Sequence, residues 1–186
     1  MAVLASALWR RIDTPGHEAC RLEQNGSGWC LQGTAVFRHE VGPASLAYAV
    51  RCDARWETLS GQVRGFLGER PIDYAVSRGG SVWTLNGSAV PGLDHLVDLD
   101  LGFTPATNLQ QLQRVPIARG EQVELPVAWL DVDAGTLTEL PQTYERRGET
   151  TFWYTAPSLG YEGLLELAPN GFIRRYPDLW EVEPAP

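Results

Sequence analysis

The chain has 186 residues, 44% of them hydrophobic, and a formal net charge of −8. At this length it fits one domain over residues 1–186 and buries roughly 70% of the surface its unfolded form exposes, so its core needs no disulfide or metal staple. All 15 basic residues are arginines, adjacent only at Arg10-Arg11, Arg146-Arg147 and Arg174-Arg175. That excludes the clustered positive charge that nucleic-acid binding requires.

Residues Met1 to Trp9 are apolar, but the basic pair follows them, the reverse of a secretory leader. No run approaches the roughly 18 apolar residues of a membrane span. Cys20, Cys30 and Cys52 are odd in number and lack a Cys-x-x-Cys pair, so they read as free core thiols in a reducing compartment. These features predict a cytoplasmic protein.

Period two dominates the remainder of the chain. Asn25-Gly26 is the first of four dipeptides suited to tight hairpins; Gly79-Gly80, Asn86-Gly87 and Asn170-Gly171 are the others. Between them, Leu46–Cys52 and Ile72–Ser77 alternate large apolar with small or polar residues, as half-buried strands do. Residues 25–36 and 79–90 also echo each other, aligning Trp29 with Trp83 and Gly33 with Gly87. Either a duplicated β unit or a shared vocabulary of turn residues explains the echo.

In Leu96–Asn108, alternation puts Val97, Leu99 and Leu101 on one strand face and Asp98 and Asp100 on the other. Two carboxylates on one face repel unless hydrogen-bond donors, solvent or a cation compensate, and the Thr104-Pro-Ala-Thr107-Asn108 turn supplies donors. Such aspartates can equally tie down the turn's backbone. Leu109, Leu112 and Val115, three apart on helix formers, then predict one short helix between Thr104 and Arg119, started by Thr104-Pro105 or Thr107 and stopped by Pro116. Val123–Trp129 alternates as a single strand, and Thr150–Thr155 consists of strand formers. The pattern is all-β, mainly antiparallel, with at most one short helix.

The stretch Asp98-x-Asp100-Leu-Gly102-x-Thr104-Pro-x-Thr107-Asn108 resembles the signature of the putative glycolipid-binding family, formerly a domain of unknown function. Further marks agree along nearly the whole chain: Trp9-Arg-Arg-Ile-Asp13, Gly16-His-Glu18, Gly28-Trp29…Gly33, Tyr48-x-Val50-Arg-Cys-Asp53-x-x-Trp56, Trp83…Gly87, Val127-Ala-Trp129 and Tyr176…Trp180. In the family a Thr-Leu-Pro-Ile-Arg-Arg-like run follows the motif. Here Leu109–Arg114 replaces it and only Arg114 matches, which weakens any anionic head-group role for the segment.

The resemblance implies a spiral, incompletely closed β-roll, barrel-like, similar in shape to bacterial carriers of lipoproteins or lipids. It implies a binder of a glycolipid or other amphipathic small molecule, working without a cofactor. An apolar tail would lie in the roll near Tyr48, Trp56, Trp83 and Trp129, with Asp98, Asp100, Thr104, Thr107, Asn108 and Arg114 at a polar mouth.

No nucleophile elbow, phosphate loop or zincin motif occurs, so the chain reads as a binder before an enzyme. His95 points away from both carboxylates, which argues against a metal trio. A carbohydrate-active hydrolase using Asp98 and Asp100 is the enzymatic alternative, since residues two apart on a strand stand roughly 6–7 Å apart. Carboxylates from one strand face cannot easily flank a glycosidic bond. A non-catalytic interaction module, marked by an exposed apolar patch and no cavity, is the third class.

Overall fold

The computed structural model describes residues 2–184. The chain begins as a meander of long strands: β1 (Ala2–Arg11), β2 (Gly16–Asn25), β3 (Gly28–His39), β4 (Gly42–Cys52), β5 (Thr58–Leu67) and β6 (Arg70–Gly79). Two short strands, β7 (Val82–Leu85) and β8 (Ser88–Val90), finish this half. A central segment comes next, with β9 (Leu99–Asp100) and the helix α1 (Asn108–Arg114). The second half contains β10 (Gln122–Glu124), β11 (Val127–Asp131), β12 (Thr136–Leu140), β13 (Thr143–Arg146) and β14 (Thr151–Ala156). It ends with β15 (Tyr161–Leu167), β16 (Ile173–Tyr176) and β17 (Trp180–Val182).

Fourteen strands form one antiparallel sheet, ordered β10-β13-β14-β15-β16-β17-β1-β2-β3-β4-β5-β6-β7-β8. The seam is β1 against β17, with Trp9 opposite Val182 and Arg11 opposite Trp180, so the two halves join through the ends of the chain. Edges β10 and β8 do not pair with each other, and the roll stays open. The fold is all-β and incompletely closed, as the sequence predicts. No helix among the described residues is long and apolar enough to cross a membrane.

Turn chemistry sets the register. Gly26, Gly80 and Gly171 have φ of 62°, 62° and 86°, and Asn86-Gly87 both lie at positive φ. These are the four predicted dipeptides, each between successive strands. The internal echo ends at Gly87: Gly33 continues inside β3, whereas Gly87 is where the chain turns. The structural likeness therefore covers the hairpin turn and the Trp-bearing strand start, and ends there.

One strand expectation changes. Val123–Trp129 is not one strand: it divides at Leu125-Pro126 into β10, in the large sheet, and β11, in a small sheet ordered β12-β11-β9. Pro126 has no N–H to donate to a ladder, so the strand cannot run through it. The helix forms where expected, yet Leu109 is buried together with Asn108, Gln110 and Gln111. Its polar side chains face inward as well.

The central segment fills the roll. Leu96, Leu99, Leu101 and Leu109 are each no more than 1% exposed, and Leu99 packs on Gly61 of β5, where a Cβ would stand 2.2 Å from Leu99 Cδ2. Gln110 and Gln111 bind the two halves. Gln110 Oε1 accepts from Thr58 Oγ1 at 3.2 Å and Cys52 Sγ at 3.1 Å, and its amide donates to the Leu99 carbonyl. Gln111 Oε1 accepts from Gln142 Nε2 and Tyr144 Oη, both at 2.8 Å. Pairing offsets much of the cost of burying these amides, although Gln111 Nε2 is left without a partner. All three cysteines are buried free thiols.

Candidate functional site

The motif loop is stitched by its own side chains. Asp100 Oδ1 accepts from the Gly102 N–H at 2.7 Å, and Oδ2 accepts from Thr107 Oγ1 at 3.2 Å. Thr107 stands at the N-cap of α1, but its hydroxyl serves Asp100, not the helix. Thr104 Oγ1 accepts from the Ala106 N–H at 3.0 Å and donates to Glu18 Oε1 at 2.6 Å. Gly102 sits at φ +48°, and a Cβ there would stand 2.5 Å from Trp129 Nε1. The spacing Asp-x-Gly-x-Thr-x-x-Thr therefore encodes one folded turn.

That turn forms one wall of a cavity of about 230 Å³. Asp100, Thr104 and Asn108 provide its polar groups; Trp129, Tyr154, Tyr161, Tyr176 and Trp180 provide its aromatic surface, with Leu159 and Leu179 beside them. The tyrosine rings pack on one another, with centroids 5.2–6.0 Å apart and planes inclined by 47–70°. Their positions are fixed from behind. Tyr154 Oη donates to Gln142 Oε1 at 2.7 Å, and Asn108 Nδ2 donates to Tyr144 Oη at 2.7 Å. Through Gln142, Gln111 and Tyr144 the two sides of the cavity belong to one buried network, which pre-organises the site. A second cavity, of about 200 Å³, lies beyond Trp129 and Gly102 and is lined by Arg11, Phe37, His39, Phe103, Asp131 and Asp133 among others.

Of the predicted residues, the structure brings Asp100, Thr104, Asn108 and Trp129 to one cavity, with Thr107 fully buried behind Asp100. The others lie elsewhere. Asp98 is fully buried and takes Arg114 as a two-point partner, at 2.5 and 3.2 Å. Trp83 is fully buried, its N–H donating to the Leu96 carbonyl at 3.1 Å. Trp56, at φ +68°, stacks on Trp29 with centroids 4.6 Å apart. Tyr48 is packed inside against Phe103 and bonded to Glu18.

Sequence reasoning missed Tyr154, Tyr161, Tyr176 and Trp180 as site residues. Signals existed for two of them: Tyr176…Trp180 is one of the marks of the resemblance. Tyr154 and Tyr161 carry none, because only β-pairing from β14 to β15 brings them beside β16.

Burial controls the electrostatics. It pushes the Asp100 carboxyl up to about 6, against the pull of the Gly102 and Thr107 hydrogen bonds, with no counter-ion in reach of the kind Asp98 has. Glu18 rises to about 7 for the same reason, opposed by Thr104, Tyr48 and Arg11. Asp98 is also raised by burial, with Arg114 working against it. Among the described residues only one carboxylate, Asp100, lines the aromatic cavity, so the arrangement can hold polar and apolar groups together but does not place two carboxyls across a bond.

The model of one sequence family, described as "Putative glycolipid-binding", matches residues 6–182. A solved structure of a DUF1089 family protein from Pseudomonas aeruginosa superposes with a TM-score of 0.78 at 23% identity, covering 88% of this chain and 90% of that one. That likeness shows the shared fold. No curated protein matches the sequence significantly.

Proposed function

The chain belongs to the family described as "Putative glycolipid-binding", whose model spans residues 6–182, and from that premise we propose that it is a binder that takes the head group of a glycolipid or related amphipathic molecule into the aromatic cavity. The observation that carries this is the lining: five aromatic rings facing a turn that presents Asp100, Thr104 and Asn108. Apolar walls with a few convergent polar groups are the general make-up of small-molecule sites.

Size favours the head group over the tail. About 230 Å³ equals the share of roughly eight waters at ~30 Å³ each, and it lies below the ~300–1,000 Å³ of sites that enclose a whole drug-sized ligand. A single ring fits. The roll interior beside it is occupied by Leu99, Leu101 and Leu109, so a tail would leave past Leu159 and Leu179 at the lining. Each methylene it buried there would add about 0.8 kcal/mol, which makes an alkyl glycoside a tighter ligand than its free sugar.

Titration with a short-chain alkyl glucoside below its micelle concentration, followed by tryptophan fluorescence, tests the proposal, because Trp129 and Trp180 line the site. Saturable change is expected, stronger than with free glucose and abolished when Trp180 is replaced by Ala. Absence of saturable change with the glucoside and with small head-group probes, neutral or charged, removes the reading.

A further inference from the structure

We propose that the head group accepted by the aromatic cavity carries a substituted ammonium, as an amino sugar or a choline-type group does; this rests on the reading that the cavity is the ligand site. The charge at the site points one way. Among the described residues that line it, Asp100 is the only ionisable acid or base other than tyrosine, with no arginine or histidine. Arg11 stands over the Trp180 ring at 5.0 Å, does not line this cavity, and is already paired with Asp13 at 2.5 Å.

The neutral surface completes the argument. Aromatic faces attract ammonium groups through the ring quadrupole, and a partly desolvated site strengthens the attraction. Five rings share this cavity with the carboxylate. Two tyrosine hydroxyls are engaged away from any ligand, Tyr154 with Gln142 and Tyr161 with the Pro177 carbonyl at 2.8 Å, so these residues offer rings more than donors. A phosphate would meet a carboxylate and no cation. A neutral sugar would satisfy hydroxyl acceptors yet leave Asp100 without a counter-charge in a buried setting, where burial already raises its pKa to about 6. An ammonium supplies that charge, and a chain of net charge −8 does not repel it.

Three probes separate the possibilities by calorimetric titration at pH 7.5: glucosamine, its neutral counterpart glucose, and choline. Glucosamine or choline is expected to bind at least tenfold more tightly than glucose. Glucosamine alone identifies an amino sugar; choline alone, or both equally, identifies ring-face recognition of the cation. Asp100→Asn is expected to weaken both probes, and to lower the ammonium affinity at least tenfold more than the glucose affinity. Tyr161→Leu, which removes one half-buried ring, provides the second variant should Asp100→Asn fail to fold, and should weaken the ammonium probe severalfold. Affinity for the ammonium should also fall as pH drops below about 6. Equal binding of glucose and glucosamine overturns the ammonium inference while leaving the head-group proposal standing. No uptake of any probe, with no response to the alkyl glucoside, overturns both.

Discussion

Glu18 and Tyr48, thirty positions apart, meet at 2.5 Å on the inner face of the roll, across Gly33 of the strand between them. Gly33 makes the contact possible: a Cβ there would stand 2.4 Å from Tyr48 Oη. Glu18 Oε1 accepts from both Tyr48 and Thr104, while Oε2 is buried with no partner. The carboxyl therefore links the long-strand half of the sheet to the motif loop, and it does so at the expense of its charged form.

A pH dependence results, and its sign is fixed by the direction of the shifts. The folded protein holds Glu18 at about 7 against an ordinary 4.5, and Asp100 at about 6 against 3.8. Raised carboxyl pKa values favour the protonated fold, so this stability is fully present below pH ~4 and is lost as pH rises through 6 and 7. Glu18 alone accounts for about 3 kcal/mol across that range. The Thr104 and Tyr48 hydroxyls and the Arg11 charge oppose that rise without cancelling it. Urea midpoints should fall between pH 5 and pH 8, and Glu18→Gln should flatten the slope. An unchanged slope in that variant would show that Glu18 titrates normally.

The Asp98–Arg114 pair yields a different signature. Asp98 is fully buried and Arg114 only partly exposed, so Arg114→Met strands a buried carboxylate. Removing one member of such a pair costs about 3 kcal/mol, whereas removing both charges is close to neutral. Equilibrium unfolding should show a large loss for Arg114→Met and recovery of most of it when Asp98→Asn is added. Simple additivity of the two losses would mean the pair is not coupled.

How much of this was legible in the sequence depends on the range of the interaction. Asn86-Gly87 and Leu46–Cys52 could be read directly, because turn geometry and strand period are local. The motif loop was half legible: Asp100, Gly102 and Thr107 bond within seven positions of one another. Glu18 was not, since its partner Thr104 lies 86 positions away and a buried glutamate looks like any other. Gln110 and Gln111 were not legible for the same reason. Nothing local marks them as interior residues; distant Thr58 and Gln142 make them so. Trp83 and Trp129 showed no difference in the sequence; only the Leu96 carbonyl beside the first and the cavity beside the second separate them.

Gly102 is where backbone and cavity geometry meet. Its φ of +48° disfavours a side chain, and Trp129 Nε1 occupies the space a Cβ would need. Gly102→Ala should therefore cost about 1–3 kcal/mol, through backbone strain and displacement of the indole. Because Trp129 and Gly102 line both cavities, binding of the alkyl glucoside should weaken in parallel. Thermal unfolding and the fluorescence titration check the two effects separately. A variant as stable as the parent would show that the loop relaxes freely around the added methyl.

The tryptophans offer the last contrast, because two of them differ in one atom's surroundings. Trp9 is fully buried, packs edge-on against Phe172 at 5.3 Å, and donates its N–H to the Ile173 carbonyl at 2.6 Å. Trp129 is only partly buried, and its N–H, although buried, has no hydrogen-bond partner. Trp→Phe removes an indole ring's extra volume at both sites, but at Trp9 it also removes the donor serving a buried carbonyl. Leaving such an acceptor unsatisfied costs about 1–3 kcal/mol. At Trp129 the same change deletes an N–H that was already unpaired, which offsets part of the lost packing. Trp9→Phe should thus destabilise the protein by at least about 1 kcal/mol more than Trp129→Phe in matched urea titrations. Ligand response should divide the other way, intact in Trp9→Phe and altered in Trp129→Phe, since only Trp129 lines the cavity. Equal stability losses would mean that the Trp129 N–H is satisfied in solution, and an unaltered ligand response in Trp129→Phe would move the binding site away from this wall.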